Sequence, residues 1–152
     1  MKRNQRTLAC LVLFCTLLCA GASHHAQAIG TPPEESAHET VIELEPRFDH
    51  LSRISASLTF SSLGRANCGG SFTTYDEYDS SMTMVLQRLE GTRWVDVKDW
   101  SESFSGSGVK VLDKGYYVSS GYSYRVSVTV NILDSNGNSI ETVTCDSPIK
   151  EY

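Results

Sequence analysis

The chain has 152 residues, with eighteen acidic side chains against thirteen basic ones and a formal net charge of −5. That length suits one domain with a real hydrophobic core. The acidic balance, with no basic cluster to offset it, argues against nucleic acid and anionic lipid, both of which select for Lys and Arg.

Met1 to Ala28 has the build of an export leader. Lys2, Arg3 and Arg6 precede an apolar run from Leu8 to Ala20, and Ala26-Gln27-Ala28 supplies small residues for cleavage. The run is short of the roughly 20 residues that span a bilayer, so the expectation is a secreted chain cut after Ala28, with no stable membrane insertion after processing. Ala20-Gly21-Ala22 is a second candidate, but it follows the apolar run without a polar spacer. Lipid attachment at Cys19 would need a small residue where Leu18 stands. Cleavage removes three basic and no acidic residues, leaving 124 residues with a net charge of −8.

Residues 29–50 form an acidic stretch with Pro32, Pro33, Glu34, Glu35, Glu39, Glu43 and Glu45. This reads as a flexible or extended arm, too charged to bury much surface. Of five cysteines, only Cys68 and Cys145 lie beyond the leader. An even pair in an exported chain reads as one disulfide, which would contribute about 4 kcal/mol by the chain-entropy argument. The alternative is two buried thiols acting as small apolar groups.

From residue 51 to 152 the dominant signal is alternation. Ile54, Ala56, Leu58 and Phe60 are interleaved with Ser55, Ser57 and Thr59. Ala66, Cys68, Gly70 and Phe72 repeat the pattern, as do Met82, Met84 and Leu86. Period two places one set of side chains on each face of a strand. Glu90-Gly91-Thr92 reads as a turn into a strand from Trp94 to Trp100, with Val95 and Val97 on one face. After a flexible link from Ser103 to Gly108, Val109 and Val111 mark the next strand. Tyr124, Val126, Val128 and Val130 are the strongest run, and Asn136-Gly137 turns the chain back through Ile140 to Cys145. The fold class is therefore all-β: about seven strands in two antiparallel sheets packed as a sandwich, joined by Greek-key connections.

The segment Val118-Ser-Ser-Gly121-Tyr-Ser-Tyr124-Arg-Val-Ser-Val128 resembles the corner before strand F in fibronectin type III and immunoglobulin-like sandwiches. The resemblance implies that Gly121 makes the turn and that the hydroxyl of Tyr124 pins the corner to nearby backbone. Ser120 stands where the family usually has proline. The span from Arg53 to Tyr152 also resembles a group of small exported proteins of Gram-positive anaerobes. The likeness is carried by Ile54-Ser-Ala-Ser-Leu58, Ala66-Asn-Cys68, Leu86-Gln-Arg88, Trp94, Val97, Trp100, Gly121-Tyr-Ser-Tyr-Arg-Val126 and Tyr152. It implies an exported β-sandwich and supplies no active site.

Candidate sites are few. Asp76, Glu77 and Asp79 crowd one loop without the glycine and closing glutamate of a calcium loop, and Asp134-Ser-Asn136-Gly-Asn138 has its glycine misplaced. Both read as polar turns, and no metal or other cofactor is expected. His38 and His50 flank no nucleophile, no Gly-x-Ser-x-Gly elbow occurs, and two carboxyls facing across a cleft cannot be inferred from sequence. Catalytic residues are thus not assigned. Trp94 reads as core and Trp100 as the more exposed, the latter forming a contact surface with Tyr75, Tyr78 and Tyr116, and with Tyr117 and Tyr122 nearby. The expectation is a non-catalytic module that touches a protein partner or the cell envelope. The alternatives are a carbohydrate-binding module using those aromatics, or a surface component that self-associates through an open strand edge.

Overall fold

Alternation over long runs leaves each strand with one dry and one wet face, and two such sheets must cover each other. A computed structural model describes residues 39–43 and 48–152 of the chain, so the expected leader and most of the acidic arm lie outside the described residues. Among those described there are nine strands: β1 Glu39–Glu43, β2 Leu51–Phe60, β3 Arg65–Thr74, β4 Asp79–Glu90, β5 Arg93–Phe104, β6 Gly108–Tyr117, β7 Ser123–Leu133, β8 Ser139–Asp146 and β9 Lys150–Glu151. Sheet A has the order β1-β2-β3-β6. Sheet B has the order β5-β4-β7-β8, with β9 also paired to β7. Every pairing is antiparallel. The chain crosses between sheets after β3, β5 and β6, giving the expected Greek-key sandwich.

The dry faces carry the residues that the alternation singled out. Ile54, Ala56, Leu58, Ala66, Phe72, Met82, Met84, Leu86, Val126, Val128 and Val130 are buried to within 1% exposure. In register, Ala56 lies level with Gly70 and Leu112, while Met84 lies level with Val128. A methyl group on Gly70 would sit 3.0 Å from both Met82 Sδ and a Val128 methyl. The absent side chain at 70 is what lets the sheets approach there.

Several expectations are revised. Part of the acidic arm, Glu39–Glu43, pairs with β2 residue for residue, because β2 offers an open ladder on that side. The strand that Val109 and Val111 marked is β6; both valines lie opposite Thr73 and Ser71 on the wet face, 68% and 52% exposed, and Leu112 fills the core. Neither tryptophan takes its expected role, since both are half-buried. A bulge at Leu86/Gln87 adds one residue to β5, which flips the faces on its two sides. Trp100, opposite Met84, packs against the core, whereas Trp94, opposite Leu89, stands outside it. Without the bulge the two rings, six residues apart, would share a face.

The expected Cys68–Cys145 disulfide does not form: both thiols are free and buried. Cys145 on β8 turns its sulfur toward the Thr40 carbonyl, 3.8 Å away, level with Ala56. Cys68 pairs with Leu58, two strands over from Thr40 and two residues along. That displacement is about 10 Å across and 7 Å along the sheet, beyond the reach of a disulfide. Burial pushes the Cys68 thiol up to about 12. Burial first, then the Asp146 charge, raises Cys145 to about 11. Such thiols are poor nucleophiles.

The raised values fix a pH dependence. A thiol that stays protonated in the fold contributes stability present in full below its unfolded pKa near 9, and lost as pH rises through the folded value. Denaturant titrations between pH 9 and 11 are expected to show wild-type stability falling faster than that of Cys68→Ala. The difference should approach 1.4 kcal/mol per pH unit, as an order of magnitude; parallel curves would refute the buried-thiol assignment.

Candidate functional site

One end of the sandwich gathers tyrosines. It is built by the turn between β2 and β3, the end of β6, the corner from Val118 to Tyr122, and the last residues of the chain. Gly64 (φ 79°) turns the chain there and leaves room for a ring, since a Cβ would lie 2.8 Å from the Tyr152 hydroxyl. Gly121 (φ 85°) makes the second turn, a backbone state that side chains with a Cβ adopt at a cost.

Backbone bonds fix this end. Tyr152 N–H donates to the Tyr122 carbonyl at 3.0 Å and Tyr122 N–H returns the bond at 3.2 Å. Gly121 N–H also donates to Tyr152, and Val118 N–H to the Gly64 carbonyl at 2.9 Å. The Tyr124 hydroxyl donates to the Ser119 carbonyl at 2.7 Å, so the corner expected at Gly121 and Tyr124 is formed. The rings make a continuous series. Tyr152 lies 5.0 Å from Phe60, Phe60 meets Tyr124 edge-on at 5.7 Å, and Tyr124 meets Tyr122 at 6.4 Å. The Arg88 guanidinium sits 4.5 Å over the Tyr122 ring, a cation–π contact. Arg88 also pairs with Glu90.

Outward from this fixed base the apolar surface is open. Leu63 at the β2–β3 turn is 82% exposed and Tyr117 67%, while Tyr116 and Tyr122 are about 40% exposed. A cleft of about 430 Å³ is lined by Gly121, Tyr122, Ser123, Glu151 and Tyr152, within the size range of ligand sites. Trp94 stands on sheet B near the same end, its ring 4.5 Å from the Arg125 guanidinium, which also pairs with Asp146 at 2.7 Å.

The contact set expected from sequence is therefore divided. Tyr116 belongs to the tyrosine end. Tyr75 and Tyr78 lie at the opposite end, in the loop between β3 and β4. Trp100 lies part-way along β5, half-buried against the core, so it is not the exposed member of the set. Tyr152, Leu63 and Arg88 had no place in that set. The signal for Leu63 was a large apolar residue in a Ser-Ser-Leu-Gly turn between two strands, where nothing covers it.

The far end is acidic. Glu77, Asp79 and Asp134 line a cleft of about 250 Å³ with Tyr78, but no group of three His, Cys, Asp or Glu side chains among the described residues has metal-holding geometry. Asp134 is occupied as a turn cap: its carboxylate accepts N–H bonds from Asn136 and Asn138 at 2.9 and 2.8 Å. Those bonds hold it below the usual carboxylate range. His50 joins three segments. Its Nδ1 meets Asp76 at 2.7 Å, its backbone N–H donates to Glu141, and its ring lies edge-on to Tyr78.

No family model matches the chain. The curated proteins and the solved structures give no match either.

The corner hydrogen bond yields a direct test. Tyr124→Phe keeps the buried ring and removes the hydroxyl that donates to the Ser119 carbonyl and faces Arg88, so it should lower stability by about 1 kcal/mol with an unchanged denaturant slope. Equilibrium urea unfolding measures both quantities.

Proposed function

We propose that this chain is an exported, non-catalytic binding module that holds a protein partner against its tyrosine-rich end. One observation carries the reading: Leu63, Tyr116, Tyr117 and Tyr122 are each exposed at the same end of the sandwich, where the backbone is fixed by paired hydrogen bonds and a core-anchored ring series. Large aromatics with an arginine alongside are what protein interfaces concentrate at their centres. A preformed surface also loses little conformational freedom on binding. Export is supported by the leader-like segment Met1 to Ala28. Against thiol catalysis stand two buried cysteines whose pKa values are raised.

Photo-crosslinking in the source organism tests this. A photoreactive phenylalanine analogue at position 117 should give one discrete protein adduct. The same analogue at Thr129, on the outer face of sheet B, should give none. The double variant Leu63→Ser, Tyr122→Ser should reduce partner binding at least tenfold. Equal adducts from positions 117 and 129 would end the reading. A saturable tryptophan-fluorescence change with soluble polysaccharide, abolished by Tyr122→Ser, would replace the protein partner with a glycan.

A further inference from the structure

A sandwich has four sheet edges, and an unguarded edge is a template for another strand. Two edges here, β5 and β6, carry charges on their inner faces. Residues directly opposite one another share a face. Lys98 and Glu102 face inward opposite Leu86 and Met82, and Lys110 and Lys114 do so opposite Phe72 and Cys68. Lys114 reaches Glu102 across the open side at 3.9 Å, and Lys110 binds the carbonyls of Ser105 and Ser107. A strand added there would have to strip or bury those charges. The third edge, β8 with β9, is interrupted at Ser147–Ile149 by a proline, Pro148, that offers no N–H.

The fourth edge differs. β2 is ten residues long, yet β1 covers only Arg53 to Ser57. β1 itself is five residues, with Val41 45% and Ile42 37% exposed, so it is held chiefly by backbone bonds and little by side-chain burial. Beside it on β2 lie Ile54 and Ala56, and Cys145 of the other sheet meets Thr40, all three within 1% exposure. A short, weakly buried strand over a longer acceptor edge is the kind of element that opens locally while the rest of the fold stays intact.

We propose that β1 is exchangeable between copies, so that Glu39–Glu43 of one chain pairs with the β2 edge of a second. The occupant is the chain's own segment because that segment already matches this edge in full antiparallel register, from Glu39 opposite Ser57 to Glu43 opposite Arg53. Exchange in trans keeps every one of those pairings and adds no new unpaired group. The result is a closed two-fold dimer in which each copy lends and receives one strand. The chain leaves β1 toward His50 at the acidic end, so the exchange leaves the tyrosine surface free.

Two single-cysteine additions test it in the full chain. Glu39→Cys is made in one copy and Ser57→Cys in another, with the native thiols left in place. The mixture is oxidised and the linked peptides are identified by mass. A 39–57 link can then form only between molecules. It should accumulate at least tenfold faster than the link between Thr129→Cys and Ser57→Cys, which samples random collision. Val41→Cys with Ser55→Cys, the next outward-facing pair in the ladder, repeats the measurement on an independent pair. Rates no faster than the control for both pairs would overturn the exchange.

Discussion

At position 70 there is no space for even a methyl group: Met82 and Val128 from the opposite sheet already stand at contact distance from where it would be. That approach sets the spacing of the sandwich, and much else is arranged around it. Ala56, level with Gly70, adds only a methyl group, and Leu112 on the other side of Gly70 supplies the bulk at that level. The bulk of Phe72, Leu58 and Tyr124 is placed toward the two ends. The interior is closed on the side where β8 packs against β2. On the β5–β6 side it opens enough for Lys114 and Glu102 to reach each other. Dense packing of this kind has little slack, and it is the reason that surface features here are held in place.

The ends inherit their character from this arrangement. Phe60 and Tyr124 extend the dry interior to one end, and Tyr122 and Tyr152 continue the series into solvent. The aromatic surface is an outgrowth of the core and shares its rigidity. At the other end Phe72 meets Phe104 and His50 meets Tyr78, as two separate ring pairs. Loops close on themselves through Asp134, His50 and the Glu77–Ser107 hydrogen bond, and polar groups satisfy one another locally.

What the sequence conveyed well was whatever depends on local pattern. Ile54 to Phe60 and Tyr124 to Val130 declared their dry faces by alternation alone, and the Gly121–Tyr124 corner was legible because its hydrogen bond spans five residues. What it concealed depends on neighbours in space. Nothing around Leu86 and Gln87 announces a bulge, yet that single residue decides which tryptophan is covered. Val109 and Val111 marked a strand, but which of its faces is wet is set by the strand beside it. The cysteine pair failed for a similar reason: whether two thiols meet depends on strand order and stagger, neither of which spacing along the chain records. The tyrosine end could be assembled only once the β2–β3 turn, the β6–β7 corner and the final residue were seen to converge.

The strands are long compared with the distance over which salt water hides a charge. Ten residues of extended chain measure about 33 Å, against a Debye length of about 8 Å in physiological salt. The two ends are therefore electrically separate. One carries Asp49, Asp76, Glu77, Asp79, Asp134 and Glu141 with little to balance them, while at the other Arg65, Arg88 and Arg93 offset Glu90 and Glu151. A charged surface approaching one end therefore meets a different field from one approaching the other, and the tyrosine end is the less acidic of the two.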